Sequence, residues 1–229
     1  MALVLKPFDM SRLLSPSKVS LPLVESKPAF LTKEWLDATG SSILQWWESE
    51  DYRKPPTALV RCSRGGKTRA LKELAHWLQQ KRPGATILFV SFNDFSGLSD
   101  EEQLDPVGAL CRRIAFAADS SLDKSGGLGA AFEKIGELAV SPEAIRDWLQ
   151  QTPCVLLIDE LNNMKELAKK NSVPGKDLAK FLKKNFLDME NRYLIFSSHV
   201  VTTAGDLSGY METNSERKVQ IVHLPIANE

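Results

Sequence analysis

The sequence is poor in the residues that build metal cages and disulfide frameworks. Its 229 residues include only three cysteines, Cys62, Cys111 and Cys154, odd in number and too widely spaced to form a Cys-x-x-Cys pair. Neither a disulfide scaffold nor a zinc cage is expected, and the thiols read as small apolar residues in a reducing compartment. Histidine is as scarce, with only His76, His199 and His223. No run of 18 apolar residues occurs, so no helical membrane span is expected. The opening MALVLKPFDM lacks the charged leader and long apolar stretch of a signal peptide. An intracellular protein, cytoplasmic or nuclear, is the expectation. Charge of one sign is missing too: 29 basic residues balance 29 acidic ones. That removes the electrostatic basis of a dedicated nucleic-acid or membrane-surface binder, although a local basic patch is compatible with it. Apolar residues at 43% and charged residues at 25% exclude a wholly disordered chain.

At roughly 150 residues per domain the length allows about one and a half domains, which fits one compact α/β domain preceded by an arm. Residues 1–55 form the expected arm. Pro16, Pro22 and Pro28 punctuate it, and its apolar alternation is broken. Within it, LTKEWLDATGSSILQWWESEDY can hold one or two short helices, with Thr32 as N-cap and Gly40 as a stop. Trp35, Trp46 and Trp47 read as rings that pack the arm onto the domain; a partner surface or a platform near a nucleotide base is the sharper alternative.

Residues 56–229 are regular. Five apolar runs, TALVRC, ATILFVSF, CVLLIDEL, RYLIFSSH and KVQIVHL, read as strands. Helices are expected after SRGGKT, with Leu71, Leu74, Ala75 and Leu78 on one face, from Pro106 to about Ala118, and from Pro142 onward. Two lysine-rich helices are expected at about 162–171 and 176–187. SLDKSGGLGA reads as a flexible link and TTAGDLSGYMETNSER as a polar loop. Nearly all-apolar strands alternating with helices imply a three-layer αβα sandwich with a mainly parallel five-stranded sheet. Ligands bind such sheets outside the carboxyl ends of the strands. The polar residues at 61–68, 93–94, 159–160 and 197–199 fall there.

The richest of these is Arg61-Cys62-Ser63-Arg64-Gly65-Gly66-Lys67-Thr68, between a predicted strand and a predicted helix. That context suits a phosphate-binding loop. The backbone N–H groups of 63–69 turn inward around phosphate oxygens, so Ser63, Arg64, Gly65, Gly66, Lys67, Thr68 and Arg69 are the expected nucleotide contacts. Lys67 reaches the β- and γ-phosphates, and the Thr68 hydroxyl binds Mg2+. The pattern departs from GxxxxGK[ST] at its first glycine, which is Arg61. Cys154–Asp159 is an apolar strand ending in an acid, 92 residues after Lys67. Asp159 is the expected metal residue and Glu160 the general base that polarises an attacking water. Ile195-Phe196-Ser197-Ser198-His199 ends a further apolar run, expected to lie between the other two strands in the sheet. Ser197 or Ser198 there can sense the γ-phosphate, with Ser198 preferred, whereas His199 reads as a surface histidine. Among cations able to meet transition-state charge, Arg61, Arg64, Arg69 and Arg217, Arg64 is favoured because it lies within the loop. Asn93 and Asp94 read as loop caps. Lys169-Lys170 and Lys183-Lys184 are spaced like a bipartite nuclear import signal, but helix-surface lysines or a nucleic-acid patch explain them as well.

With these residues in view, the chain resembles the P-loop NTPases of the catalytic-glutamate class, related to the AAA+ and STAND groups. More narrowly, TALVRCSRGGKTRALKELA with VLLIDELN and YLIFSSH resembles the NTPase module of Crinkler and retrotransposon-hot-spot proteins over residues 20–229. The resemblance implies ATP or another NTP as ligand, Mg2+ as cofactor, and hydrolysis of the β–γ bond as an ATPase or nucleotide switch. It also implies a protein partner or effector domain, makes Arg61 a feature of the family's loop, and leaves no room for a helical lid after the last strand. A P-loop kinase and a non-catalytic interaction module are the alternatives.

Overall fold

A computed structural model describes residues 6–24, 31–51, 53–62, 65–93, 98–122, 132–133, 135, 138–199, 207 and 218–225. In chain order the elements are β1 (Lys6–Pro7), α1 (Lys33–Glu48), β2 (Thr57–Val60), α2 (Lys67–Lys81), β3 (Thr86–Ser91), α3 (Asp100–Leu104) and α4 (Pro106–Ala118). They continue with β4 (Leu138–Ala139), α5 (Pro142–Leu149), β5 (Cys154–Asp159), α6 (Val173–Leu182), β6 (Arg192–Ser198) and β7 (Gln220–His223). Five strands form one sheet in the spatial order β3-β5-β6-β2-β7, and every pairing is parallel. The expected αβα sandwich is thus the architecture found. β6 lies between β2, which leads into the glycine loop, and β5, which ends in the acids.

The parity of each strand sorts its side chains between two cores. On one face Val155, Leu157, Tyr193 and Ile195 pack under α1 and α2 with Leu71, Leu74 and Leu78. On the other, Leu88, Val90, Leu156, Ile158, Leu194 and Phe196 pack under α4, α5 and α6. Burial on both faces explains why these strands read as continuous apolar runs.

Capping follows the expected chemistry. The side chains of Thr32, Asp105 and Ser141 accept from Trp35 N, Gly108 N and Ala144 N at the starts of α1, α4 and α5. Three expectations are corrected, and one feature was not foreseen. Gly40 does not stop a helix: α1 runs unbroken over 16 residues, and Gly40 lies buried within it. It is there because the ring of Trp77 on α2 fills the space that a side chain would need. The lysine-rich stretch 162–171 is not one helix but two 3-10 turns, Leu161–Asn163 and Lys165–Ala168. The next helix starts at Val173, earlier than expected, behind the N-cap Ser172, and ends in a π turn at Lys183–Leu187. A second, two-stranded parallel sheet pairs Lys6–Pro7 with Leu138–Ala139; strands this short carry no periodic signal. The chain ahead of α1 is further tied down where Leu14 N donates to Ala118 O, Trp148 Nε1 to Leu14 O, and Arg12 pairs with Asp119. The 123–130 part of the expected link lies outside the described residues, as does the expected loop at 202–217 apart from Leu207. Among the described residues, no helix is long and apolar enough to cross a membrane.

The Gly40–Trp77 contact gives a test in which two effects oppose each other. Alanine gains about 1 kcal/mol of helix propensity over glycine. A Cβ at position 40, however, would stand 2.4–2.7 Å from Trp77 ring atoms. That ring is held by its Nε1–H bond to Asp37 and lies beneath the Lys81 ammonium. Gly40→Ala is expected to be destabilising overall by about 1 kcal/mol or more, seen as a lower urea midpoint with an unchanged slope.

Candidate functional site

Between β2 and α2 the chain turns on two glycines. Gly66 has φ +78° and serves as the N-cap of α2, a backbone conformation that favours glycine. A Cβ at Gly65 would stand 2.9 Å from the Cys62 carbonyl oxygen and 2.6 Å from Arg61 Cδ, so that position is closed to a side chain as well. Arg61, where the usual pattern has a glycine, donates from Nη1 to Gly65 O at 2.9 Å and to Pro225 O at 2.8 Å. It pins the loop to the segment that follows β7. Lys67 opens α2 with a buried ammonium that donates to Cys62 O at 3.0 Å and pairs with Glu160 Oε1 at 3.1 Å. Arg69 points elsewhere, pairing with Glu73 at 3.1 Å, while Glu73 also accepts from Leu31 N. Ser63, Arg64, Asp94 and Arg217 lie outside the described residues.

The centre of the site is the Asp159 carboxylate. Its Oδ2 accepts from Thr68 Oγ1 at 2.8 Å and from Ser91 Oγ at 3.3 Å, and its Oδ1 accepts from Ser197 Oγ at 2.8 Å. Strand parity and register explain this row. Ser91 and Asp159 are direct partners across β3 and β5. Ser197 is one step beyond the Ile158–Phe196 pair. All three continue the parity that faces α2, where Thr68 sits in the first turn. Ser197 also accepts from Glu160 N at 2.9 Å, so one hydroxyl bridges two neighbouring acidic residues. Ser198 is buried too, but alternation puts it on the opposite face. Of the pair at the end of β6, Ser197 is therefore the serine that reaches the acids; which parity faces α2 is decided by the packing of the sheet, not by the apolar run itself. Ser91, two residues before Asn93, was missed for the same reason. The end of β3 is held by Arg113, whose Nε donates to Ser91 O at 3.2 Å and whose guanidinium pairs with Glu102. Asn93 N donates to Ser91 Oγ at 3.1 Å.

Glu160 leaves the strand in the left-handed region, at φ +56° and ψ +51°. Such strain in a non-glycine residue costs of order 1–3 kcal/mol and persists only where the surroundings fix it. Here its N–H is held by Ser197, its Oε1 by Lys67, and its Oε2 by His199 Nδ1 at 3.1 Å. His199 is thus a partner of the second acid, which sequence reasoning did not foresee.

The two acids are electrostatically unlike. Burial pushes the Asp159 carboxyl above the usual carboxylate range, against the hydroxyls of Ser197 and Thr68, and the adjacent Glu160 charge works in the same direction as burial. Burial also works to raise Glu160, but the hydrogen bonds from His199 and Lys67, with the charge of Lys67, outweigh it and hold this group below its ordinary value. A cavity of about 510 Å3 opens beside the site, lined in part by Thr68, Lys72, Phe89, Ser91, Phe116 and Asp159.

No protein-family model and no curated protein matches the chain. Solved structures do. The ORC2 protein of Aeropyrum pernix, in its ADPNP–ADP complexes, matches with TM-score 0.53 and 12% identity over 88% of this chain and 50% of its own. The Cdc6p protein of Pyrobaculum aerophilum matches at TM-score 0.45 and 15% identity, over 92% and 49% of the two chains. A RuvB mutant of Thermotoga maritima matches at TM-score 0.39 and 15% identity, over 86% and 48%. The fold is a P-loop NTPase fold, a mainly parallel five-stranded sheet with helices on both sides. The chain spans about half the length of these solved chains.

The raised Asp159 carboxyl carries a stability consequence. A folded-state pKa above the unfolded one means that the folded protein binds more protons between the two values. Stability therefore falls as pH rises through that window. Asp159→Asn removes the buried charge. The ligand-free variant is expected to melt at higher temperature than wild type at neutral pH. The gap should close in acid, below the ordinary carboxylate range, where Asp159 is protonated in both states. Calorimetry at the two pH values checks this.

Proposed function

We propose that this chain binds a nucleoside triphosphate, ATP by preference, and hydrolyses its β–γ bond as an ATPase or nucleotide-switch module. The observation that carries the reading is the meeting, at one sheet edge, of the Lys67 ammonium and Thr68 hydroxyl at the start of α2 with the Asp159–Glu160 pair. A helix N-terminus with a buried ammonium suits the phosphates of the substrate. The ADPNP–ADP complexes of the ORC2 neighbour add support for an adenine nucleotide on the shared fold.

In this reading the backbone of 63–69 cradles the phosphates, and Lys67 moves its bonds from Glu160 and Cys62 toward the β- and γ-phosphate oxygens. Thr68 and Asp159 are suited to Mg2+: a hydroxyl and a buried carboxylate stand 2.8 Å apart, and the carboxylate makes no ion pair among the described residues. Among the described residues there is no cluster of three or more His, Cys, Asp or Glu able to hold a metal ion. This suits a cation that takes one or two protein ligands and completes its shell with substrate phosphates and water. When bound, Mg2+ neutralises charge on the β- and γ-oxygens. Glu160, held ionised by Lys67 and His199, orients a water and takes its proton as the water oxygen attacks the γ-phosphorus and the β–γ bridging oxygen leaves with ADP. Arg64 adds positive charge at the loop, and Ser197 keeps both acids in register.

The kinase alternative needs an acceptor pocket on the γ-phosphate side. The described lining of the 510 Å3 cavity contains Thr68 and Asp159 but neither Lys67 nor Glu160. The narrower affiliation with the Crinkler-type NTPase module rests on the RCSRGGKTRAL string. With it come the proposals of an intracellular protein, an arm at 1–55 preceding the NTPase domain, and a protein partner or effector domain that reads the nucleotide state.

Nucleotide binding and turnover in two variants test the reading. Lys67→Ala is expected to weaken nucleotide binding by at least about tenfold, the loss of charge-assisted hydrogen bonds to phosphate. Glu160→Gln is expected to bind nucleotide but turn over about 100-fold or more slowly. Equal turnover in wild type and both variants overturns the proposal. Binding without turnover in the wild type transfers the reading to a non-catalytic module.

A further inference from the structure

We propose that His199 is a positioning residue for hydrolysis, holding the Glu160 carboxylate once Lys67 has turned to the phosphates; this deepens the hydrolytic reading and rests on it. The Glu160 carboxylate has two partners on opposite oxygens, Lys67 at 3.1 Å on Oε1 and His199 at 3.1 Å on Oε2. The two are not equivalent. The Lys67 side chain is 2% exposed and sits in the phosphate loop, where a triphosphate competes for the ammonium with several charged oxygens. The His199 ring is 42% exposed and lies on the far side of the carboxylate, at the end of β6. When Lys67 changes partners, Oε1 is released for a water, and among the described residues the His199 bond is the one that still fixes the plane of the carboxylate. Glu160 is ionised and accepts, so the Nδ1–H of His199 is the donor.

His199 is braced for this task. Its backbone N–H donates to Asn162 Oδ1 at 3.2 Å. Asn162 Nδ2 donates to Asn163 Oδ1 at 3.2 Å, and Asn163 Nδ2 donates to Phe92 O at 2.6 Å. The brace ties the end of β6 to the turn after β5 and to the residue after β3. A solvated surface histidine requires no such support, and nothing else on the described surface meets the second oxygen of Glu160. A base displaced by a fraction of an ångström loses its alignment with the attacking water, so the rate is sensitive to this bond while binding is not.

The experiment measures steady-state ATP turnover with Mg2+, nucleotide affinity and melting temperature for the full chain and four variants: His199→Ala, His199→Asn, Glu160→Gln and the double variant His199→Ala/Glu160→Gln. His199→Ala is expected to lower kcat about tenfold, with KM, nucleotide affinity and melting temperature close to wild type. Asparagine places an amide N–H near the position of Nδ1, so His199→Asn is expected to recover most of the rate. In the Glu160→Gln background His199→Ala is expected to cost nothing further, because the two residues act as one unit. Wild-type kcat in His199→Ala, no advantage of asparagine over alanine, or independent multiplication of the two losses overturns the inference while leaving hydrolysis intact. No turnover in the wild type overturns the hydrolytic reading and this inference together.

Discussion

The arrangement of the whole sheet edge depends on one buried carboxylate and three hydroxyls. Asp159 accepts from Thr68, Ser91 and Ser197, and these donors come from a helix and two strands that flank its own strand. Burying a carboxylate is unfavourable unless its oxygens are satisfied. Its three partners therefore fix how α2, β3 and β6 lie relative to β5. The same contacts bring the glycine loop against the acids. Among the described residues no ion pair meets the Asp159 carboxylate, so hydroxyls alone satisfy it.

Around that centre the two acids play different physical parts. Asp159 sits deep, and burial raises its pKa. Glu160, one residue later, turns out of the strand through a left-handed backbone and is kept ionised by Lys67 and His199. One acid suited to a cation and another suited to a proton is a division of labour set by environment rather than by residue type. The positive φ of Glu160 makes the division possible, because an extended residue there would continue the strand and aim the side chain at the opposite core.

Much of this was legible in the sequence. Buried parallel strands have apolar residues on both faces, so their runs stood out, and the glycine pair, lysine and threonine could be placed at a strand-to-helix turn. The cap Thr32 and the helix starts at Pro106 and Pro142 are local features and were readable one by one. What failed were features decided at a distance. Gly40 looked like a stop because glycine ends isolated helices, but the neighbouring Trp77 ring makes a missing side chain useful in mid-helix. The lysines near 165–170 looked helical by composition, yet the chain there must turn back from β5, and it does so in 3-10 turns. The two-residue β1–β4 pairing joins segments that are 132 positions apart at Lys6 and Leu138, too short to leave any pattern.

The sequence by itself determined the class of fold, the position of the glycine turn between β2 and α2, and the strand that leads into two acids. These follow from hydrophobic periodicity and from the few residue types that turn a strand into a helix. Only the tertiary structure decided which serine meets the acids, what Arg61 does in place of a glycine, and that His199 touches Glu160. Those outcomes depend on register between strands brought together by the order β3-β5-β6-β2-β7. A shift of one residue in that register would put Ser198 where Ser197 stands, and no local property of the chain distinguishes the two.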